Sequence, residues 1–162
     1  MGKTTLRTPT LSGATYREDP LYSRVVRAVD AILRHGKVVT PADVLVGMGL
    51  LIPEQLDDWH RGRVPYLERV IHCNLTRLSR LLRVLRFHAH DLKLVPSVTV
   101  YKRWGKGPKQ GLRFTKTGDL RLEKVYATHF VWPGKGTFPS PVREEGNLKK
   151  DTHTSPPTPA ER

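Results

Sequence analysis

Four arginines recur at every third position in the middle of the chain: Arg77, Arg80, Arg83 and Arg86. No carboxylate stands among them. Like charges at this spacing on a helix repel by a few tenths of a kcal/mol per pair, whereas a face that only meets water usually mixes signs. Guanidinium groups hold phosphate through two parallel hydrogen bonds. The spacing therefore predicts a helix face that binds a phosphate-bearing partner.

A second group of cations follows between positions 101 and 116, interleaved with aromatic rings. The cations are Lys102, Arg103, Lys106, Lys109, Arg113 and Lys116, and the rings are Tyr101, Trp104 and Phe114. Proteins use this mixture to hold a sugar-phosphate backbone or to stack a base. Strand alternation predicts that Trp104 and Phe114 face inward with Val98, Val100 and Leu112, which leaves Tyr101 as the ring that meets a ligand.

The net charge of +13 is concentrated in one segment. Residues 61–124 hold sixteen Lys and Arg against four Asp and Glu, a net +12, whereas residues 20–60 hold four against five. A concentrated excess creates a local potential that attracts polyanions. Nucleic acid, with DNA ahead of RNA because a rigid helix suits a duplex, is the partner we expect.

Metal chemistry is the main catalytic alternative. Potential ligands are His72, Cys73, His88, His90 and Asp91. Fifteen residues of helix place Cys73 and His88 about 22 Å apart, so they cannot share one ion within a chain. His88, His90 and Asp91 leave a metal-dependent nuclease open as an alternative. We predict a protein without catalytic residues, metal or cofactor.

The elements that must position these residues are mostly helical. Apolar periodicity and capping residues predict helices over 20–35, 40–48 and 53–62, a long helix from about Pro65 to Asp91 or Leu92, and a short helix after Asp119. The long helix carries an apolar stripe at Ile71, Leu75, Leu78, Leu82, Leu85, Ala89 and Leu92. Substituting Gln for Arg80 or Arg83, which lie off this stripe, is expected to keep the fold.

A basic β-hairpin is predicted over residues 97–116, beside the long helix. Its strands are Ser97–Trp104 and Leu112–Lys116. The loop that joins them contains three glycines, one proline and two lysines. The fold class is therefore α+β: a mostly helical single domain of four to five helices with one basic hairpin. Helices followed by a basic hairpin resemble the layout of winged-helix DNA-binding domains.

The helix pair at 40–61 also has the plan of a helix-turn-helix, with Gly49 at the turn. Its second helix, however, carries Glu54, Asp57 and Asp58, which would repel phosphates. We favour the interpretation that the two helices are only a structural pair. The alternative is that the second helix is a DNA-recognition helix.

Three segments, Gly62–Arg69, Arg103–Gly107 and Leu112–Phe114, read GRVPYLER, RWGKG and LRF. In this order they resemble a family of short bacterial proteins that has no assigned activity. The similarity spans residues 38–131 and implies a bacterial origin, but it assigns no functional residue.

The domain boundaries and the compartment follow from composition. We predict a flexible segment at 1–17, one folded domain at 18–132 and a disordered proline-rich tail at 133–162. A single cysteine, no signal-peptide pattern, and a longest uncharged apolar stretch of nine residues at 44–52 favour a cytoplasmic protein outside membranes. The alternative to nucleic-acid binding, besides a nuclease, is a regulatory module that docks on an acidic protein.

Overall fold

The computed structural model describes residues 11–139 of the chain. This part contains five α-helices and three short strands. The helices are α1 (Tyr22–His35), α2 (Pro41–Gly47), α3 (Pro53–His60), α4 (Leu75–Asp91) and α5 (Leu120–Ala127). The strands are β1 (Val38–Val39), β2 (Val95–Val98) and β3 (Thr128–Val131), and short 3-10 helices cover Tyr16–Glu18 and Leu67–Val70. The predicted α+β class, a mostly helical single domain, is confirmed.

The first three helices lie within two residues of their predicted bounds, and a side-chain cap marks the start of α2. The Thr40 hydroxyl accepts a hydrogen bond from the backbone N–H of Asp43 at 3.0 Å, and Pro41 occupies the first turn of α2. Gly49 adopts a φ of 72° between α2 and α3, a conformation that glycine reaches without strain. These local determinants set the bounds of the helices in the folded chain as they do in the sequence prediction.

The long helix starts ten residues later than predicted. Its first residue is Leu75, and the Asn74 side chain caps it by accepting the backbone N–H of Arg77 at 2.8 Å. The preceding residues use their backbone elsewhere: Leu67 and Glu68 donate to the carbonyls of Arg113 and Phe114, and His72 donates to the carbonyl of Leu50. These tertiary hydrogen bonds compete with a helix that the apolar spacing alone would have continued.

The buried face of α4 is wider than the predicted stripe. Leu78, Leu82, Leu85 and Ala89 are buried as expected, but Leu81 and Val84 are buried as well, because α4 packs against α1 and lies in the centre of the core. Leu75, which was assigned to the stripe, is 62% exposed at the helix start. A larger part of the α4 surface is therefore buried in the core, and a smaller part is exposed for an arginine face.

The sheet draws on distant segments. It has the order β1, β3, β2, and both pairings are antiparallel, with Val39 opposite Phe130 and Pro96 opposite Phe130 on the two sides of β3. Phe130 lies in the central strand and has a pairing partner on each side. The sheet fixes α5 next to the end of α4, since β3 follows α5 directly and β2 follows α4.

The predicted two-stranded hairpin over 97–116 is wrong in its pairing. β2 pairs with β3 rather than with residues 112–116, and the chain folds back on itself only at one antiparallel bridge between Lys102 and Gly111. Positive φ at Gly105 and Gly107, of 101° and 105°, tightens the tip, so few residues remain for a ladder. We call residues 99–119 the basic loop.

Buried aromatic residues lie on both sides of the range 18–132. Tyr16 is 1% exposed and stacks on Phe87 with ring centroids 5.6 Å apart. At the other end, Phe138 is buried and packs edge-to-face on Trp132 at 4.9 Å. The remaining parts of the predicted flexible and disordered segments, 1–10 and 140–162, lie outside the described residues.

Alanine substitutions test the register of α4. Leu81→Ala should lower the free energy of unfolding by about 2–5 kcal/mol because it leaves a cavity at a fully buried position. Leu75→Ala should change it by less than about 0.5 kcal/mol, since that side chain is mostly in water. Denaturant titration measures both, and comparable losses for the two variants would contradict the helix start at Leu75.

Candidate nucleic-acid interface

The basic loop is attached to the domain by carboxylates that point inward. Glu123 of α5 accepts hydrogen bonds from the backbone N–H of Phe114 at 3.0 Å and of Thr115 at 2.9 Å, and from the Thr115 hydroxyl at 2.8 Å. Glu68 accepts from the backbone N–H of Lys116 and from the Tyr126 hydroxyl. Both carboxylates therefore hold the backbone of the loop in place and leave its lysine side chains uncompensated.

No ion pair forms between the acids and the cations of residues 61–124, all of which the structure describes. Glu68 and Glu123 bind the loop, and Asp119 caps α5 by accepting the backbone N–H groups of Arg121 and Leu122. Asp91 binds the Tyr16 hydroxyl and pairs with a cation from outside the segment, Arg17. Only Arg63 and Arg80 pair with acids, at Asp58 and Asp19, so fourteen of the sixteen cations have no ion pair in residues 11–139.

Three aromatic rings form a stack that ends at the protein surface. The His60 ring lies parallel to the indole of Trp104, with centroids 4.0 Å apart and an interplanar angle of 1°. The rings of His60 and Tyr101 are also stacked, with centroids 6.0 Å apart and an interplanar angle of 26°. The backbone N–H of Trp104 donates to the His60 carbonyl at 2.7 Å, which fixes the indole in this position. Trp104 is the outer member and is 49% exposed.

Tyr101 is therefore not the ring that faces solvent, contrary to the alternation argument. It packs against Trp59 at 5.5 Å and against Phe114 at 5.0 Å, and its hydroxyl binds the His129 ring. Burial raises the pKa of Tyr101 to about 12. Alternation failed because β2 ends at Val98 and all four of its residues are exposed. Val98 and Val100, which were predicted to face inward, are 56% and 75% exposed.

Three cations of the basic loop donate hydrogen bonds to carbonyls within the loop. Arg103 donates to the carbonyl of Lys106 at 2.9 Å, and its side chain lies so close to Gly62 that a Cβ there would meet it at 2.7 Å. Arg113 donates to the carbonyls of Thr115 and Lys116. The other predicted loop residues are the four exposed lysines, Lys102, Lys106, Lys109 and Lys116, of which Lys109 also donates to the Gly105 carbonyl at 2.9 Å.

The four α4 arginines do not share one face. Nine residues separate Arg77 from Arg86, which places them about 180° apart around the helix. Arg80 turns toward the fully buried carboxylate of Asp19 and pairs with it. Arg83 and Arg86 remain exposed and lie beside Arg121 of α5. The hydrogen bonds and ring contacts of the basic loop go to α3, α5, β3 and residues 67–70, so the predicted site residues divide between separate surfaces.

Sequence reasoning missed three residues of these surfaces. His60 was assigned only to the end of a helix, yet its ring is the centre of the stack. Burial lowers its pKa, an effect that the nearby Asp57 and Asp43 partly oppose. Arg121 and Lys124 of α5 lie beside Arg86. The lack of Asp and Glu over residues 99–118 indicated that the loop binds an anion. The contact between His60 and Trp104 could not be predicted, because no local sequence pattern indicates it.

The potential metal ligands do not converge. No cluster of three or more His, Cys, Asp or Glu side chains suited to a metal ion is found within residues 11–139. His88 is 7% exposed and packs edge-to-face on Tyr22 at 6.0 Å, whereas Asp91 faces Tyr16 and Arg17. His88 therefore packs in the core, and Asp91 links the end of α4 to Tyr16 and Arg17.

Comparison with family models, with curated proteins and with solved structures finds no match to this chain. The resemblance to a bacterial family and the winged-helix layout therefore stay predictions. In residues 11–139, no helix combines the length and the apolar character needed to cross a membrane.

The two neighbouring arginines of α4 should respond differently to the same substitution. Arg80→Gln should lower the free energy of unfolding by about 1–3 kcal/mol, because it leaves the buried Asp19 carboxylate without its charged partner. Arg83→Gln should stay within about 0.5 kcal/mol of the parent. Urea unfolding of both variants measures this, and equal stability would show that the Asp19 pair contributes nothing.

Stability should fall on acidification below pH 6.5. Burial lowers the pKa of His88 from 6.5, so the unfolded chain binds this proton more readily than the folded chain, and the unfolding free energy decreases as the pH drops below that value. His88→Gln should flatten the decline. Denaturant titrations across this range measure the slopes; identical slopes for parent and His88→Gln would contradict the effect.

Proposed function

We propose that this protein binds nucleic acid through the basic loop and stacks an unpaired base on Trp104. The observation that carries the proposal is the exposed indole at the end of a three-ring stack, in a loop with six cations and no carboxylate over residues 99–118. Every base has a flat π face, and stacking on an aromatic side chain contributes about 1–3 kcal/mol per base.

The stack favours a base over other planar ligands because of the charges around it. Lys102 and Lys106 flank Trp104 in the chain and are exposed without ion pairs among the described residues. Lysine binds phosphate as a mobile point charge, so it tolerates the variable geometry of a flexible strand. A base on the indole and phosphates on the lysines together describe a nucleotide strand.

A single strand, or an unpaired region of a folded RNA, fits this surface better than a duplex. Bases inside a duplex are stacked on one another and show only their edges in the grooves, whereas an unpaired base can leave the strand and stack on a side chain. The expectation of duplex DNA relied on four arginines along one helix face, and those arginines diverge.

The first test compares single-stranded DNA, RNA and duplex DNA of one sequence, about 12 nucleotides long, by fluorescence anisotropy. The single strands should bind more tightly than the duplex. Contacts from the four exposed lysines should give a slope of about −3 for the logarithm of affinity against the logarithm of salt concentration. Lys102→Gln with Lys106→Gln should reduce the slope by about 1 to 1.5, whereas Arg27→Gln on α1 should leave it unchanged.

The second test removes the stacking surface. Trp104→Ala should weaken single-strand binding about tenfold to a hundredfold, and Trp104→Phe should retain most of the affinity. Leu120→Ala is the matched control, because Leu120 is also exposed and apolar, at 84%, and directly follows the loop. If Trp104→Ala binds as tightly as the parent at low salt, base stacking on this residue is excluded; a flat salt response would exclude phosphate contacts.

A further inference from the structure

A groove runs between α4 and α5, on a surface that the basic loop does not share. It consists of two adjoining cavities of about 580 and 380 Å³. Leu82, Arg86, Arg121 and Val125 line both cavities, so they form one continuous groove. We call it the α4–α5 groove.

The floor of the groove is aliphatic. Leu82, Leu85 and Leu94 contribute to it from the core side, and Val125 of α5 borders both cavities. Leu122 and Val125 are 41% and 38% exposed although they belong to the apolar face of an amphipathic helix. α5 therefore buries its Tyr126 side and leaves part of its apolar face open to this groove.

The rim of the groove is cationic on both sides. Arg83 and Arg86 line it from α4, and Arg121 and Lys124 line it from α5. No carboxylate of residues 11–139 lines either cavity, since Glu123 turns to the opposite side of α5 and binds the basic loop. An occupant must be apolar along its centre and acidic along its edges.

The groove has the length of a short helix. Its lining on α4 runs from Ser79 to His90, which is about 16 Å or three helical turns at 1.5 Å per residue. Arg83 and Arg86 lie three residues apart within this length, and with Arg121 and Lys124 of α5 they place four cations on two sides of the groove. A ligand with a single anionic head would use one of them, whereas a helix with acidic flanks would use them all.

We infer that the α4–α5 groove docks an acidic amphipathic helix of a partner protein. Apolar side chains at i, i+3, i+4 and i+7 of such a helix match an aliphatic floor, and flanking carboxylates match the two cationic rims. A nucleotide strand fits less well, because the floor is built mainly of aliphatic side chains. Of the two aromatic rings among residues 11–139 that line the groove, Phe130 is buried and Phe87 already stacks on Tyr16.

The segments of this chain outside 11–139 do not have the required composition. Residues 1–10 contain Lys3 and Arg7 and no acid, and residues 140–162 contain four acidic and four basic residues with few apolar ones. A separate partner therefore fits the charge of the groove better than a segment of the same chain does. The inference is independent of the proposed function, because the groove and the basic loop have no lining residue in common.

The probe is a synthetic peptide of about 15 residues with leucines at i, i+3, i+4 and i+7 and glutamates along both edges. A second peptide of the same charge replaces the leucines with serines. Fluorescence anisotropy on the full chain should give at least tenfold tighter binding of the leucine peptide. Equal affinities would show attraction of charge alone and would overturn the inference.

Variants of the chain locate the binding. Val125→Glu, or Leu122→Glu as an independent second variant, should lower leucine-peptide affinity at least tenfold, with folding checked by thermal unfolding. Arg86→Gln with Lys124→Gln should also weaken it. The matched control, Lys102→Gln with Lys106→Gln, should bind the peptide like the parent while losing oligonucleotide affinity.

Two results would overturn the docking surface. One is unchanged peptide binding in both folded glutamate variants. The other is displacement of the peptide from the Lys102→Gln, Lys106→Gln variant by a single-stranded oligonucleotide, which would assign the groove to nucleic acid. Failure of the basic loop to bind oligonucleotides would contradict the proposed function and leave the peptide result standing.

Discussion

The carboxylate of Glu123 accepts three hydrogen bonds from Phe114 and Thr115, and the position of the basic loop depends on this interaction. With Glu68 on the other side, it replaces the ladder that a regular hairpin would have supplied. Because carboxylates that accept backbone N–H groups are turned inward, they cannot also neutralise lysines at the surface. The same interaction that orders the loop therefore separates acids from cations, and it keeps α5 against Phe114 so that its cationic side faces α4.

This separation divides the positive charge between two surfaces of different chemistry. The basic loop joins mobile lysines to one exposed indole, a combination suited to a flexible strand of bases and phosphates. The α4–α5 groove joins arginines to an aliphatic floor, a combination suited to an acidic helix. Like charges left unpaired destabilise the folded state, and a bound anion would remove that cost. Two partners on two surfaces would allow a nucleic-acid complex and a protein complex at the same time.

The helices could be predicted from the sequence wherever the determinants are local. Thr40, Pro41 and Asp119 mark helix starts through hydrogen bonds and backbone geometry within a few residues, and the structure places α2 and α5 accordingly. The start of α4 and the loss of the hairpin could not be predicted, because both result from hydrogen bonds between segments far apart in sequence, such as Leu67 with Arg113. The concentration of charge identified the loop and α4, but the separation of Arg80 from Arg83 needs the position of Asp19, sixty-one residues away from Arg80. The stack of Trp104 on His60 is likewise a contact of tertiary structure.

Photo-crosslinking tests the central claim most directly. A single-stranded oligonucleotide that carries iodouracil is irradiated with the full chain, and the crosslinked residue is identified by mass spectrometry of the digested complex. We expect a dominant crosslink at Trp104, with neighbouring crosslinks confined to the basic loop. Crosslinks at the α4–α5 groove alone, or a crosslink yield unchanged by Trp104→Ala, would contradict it.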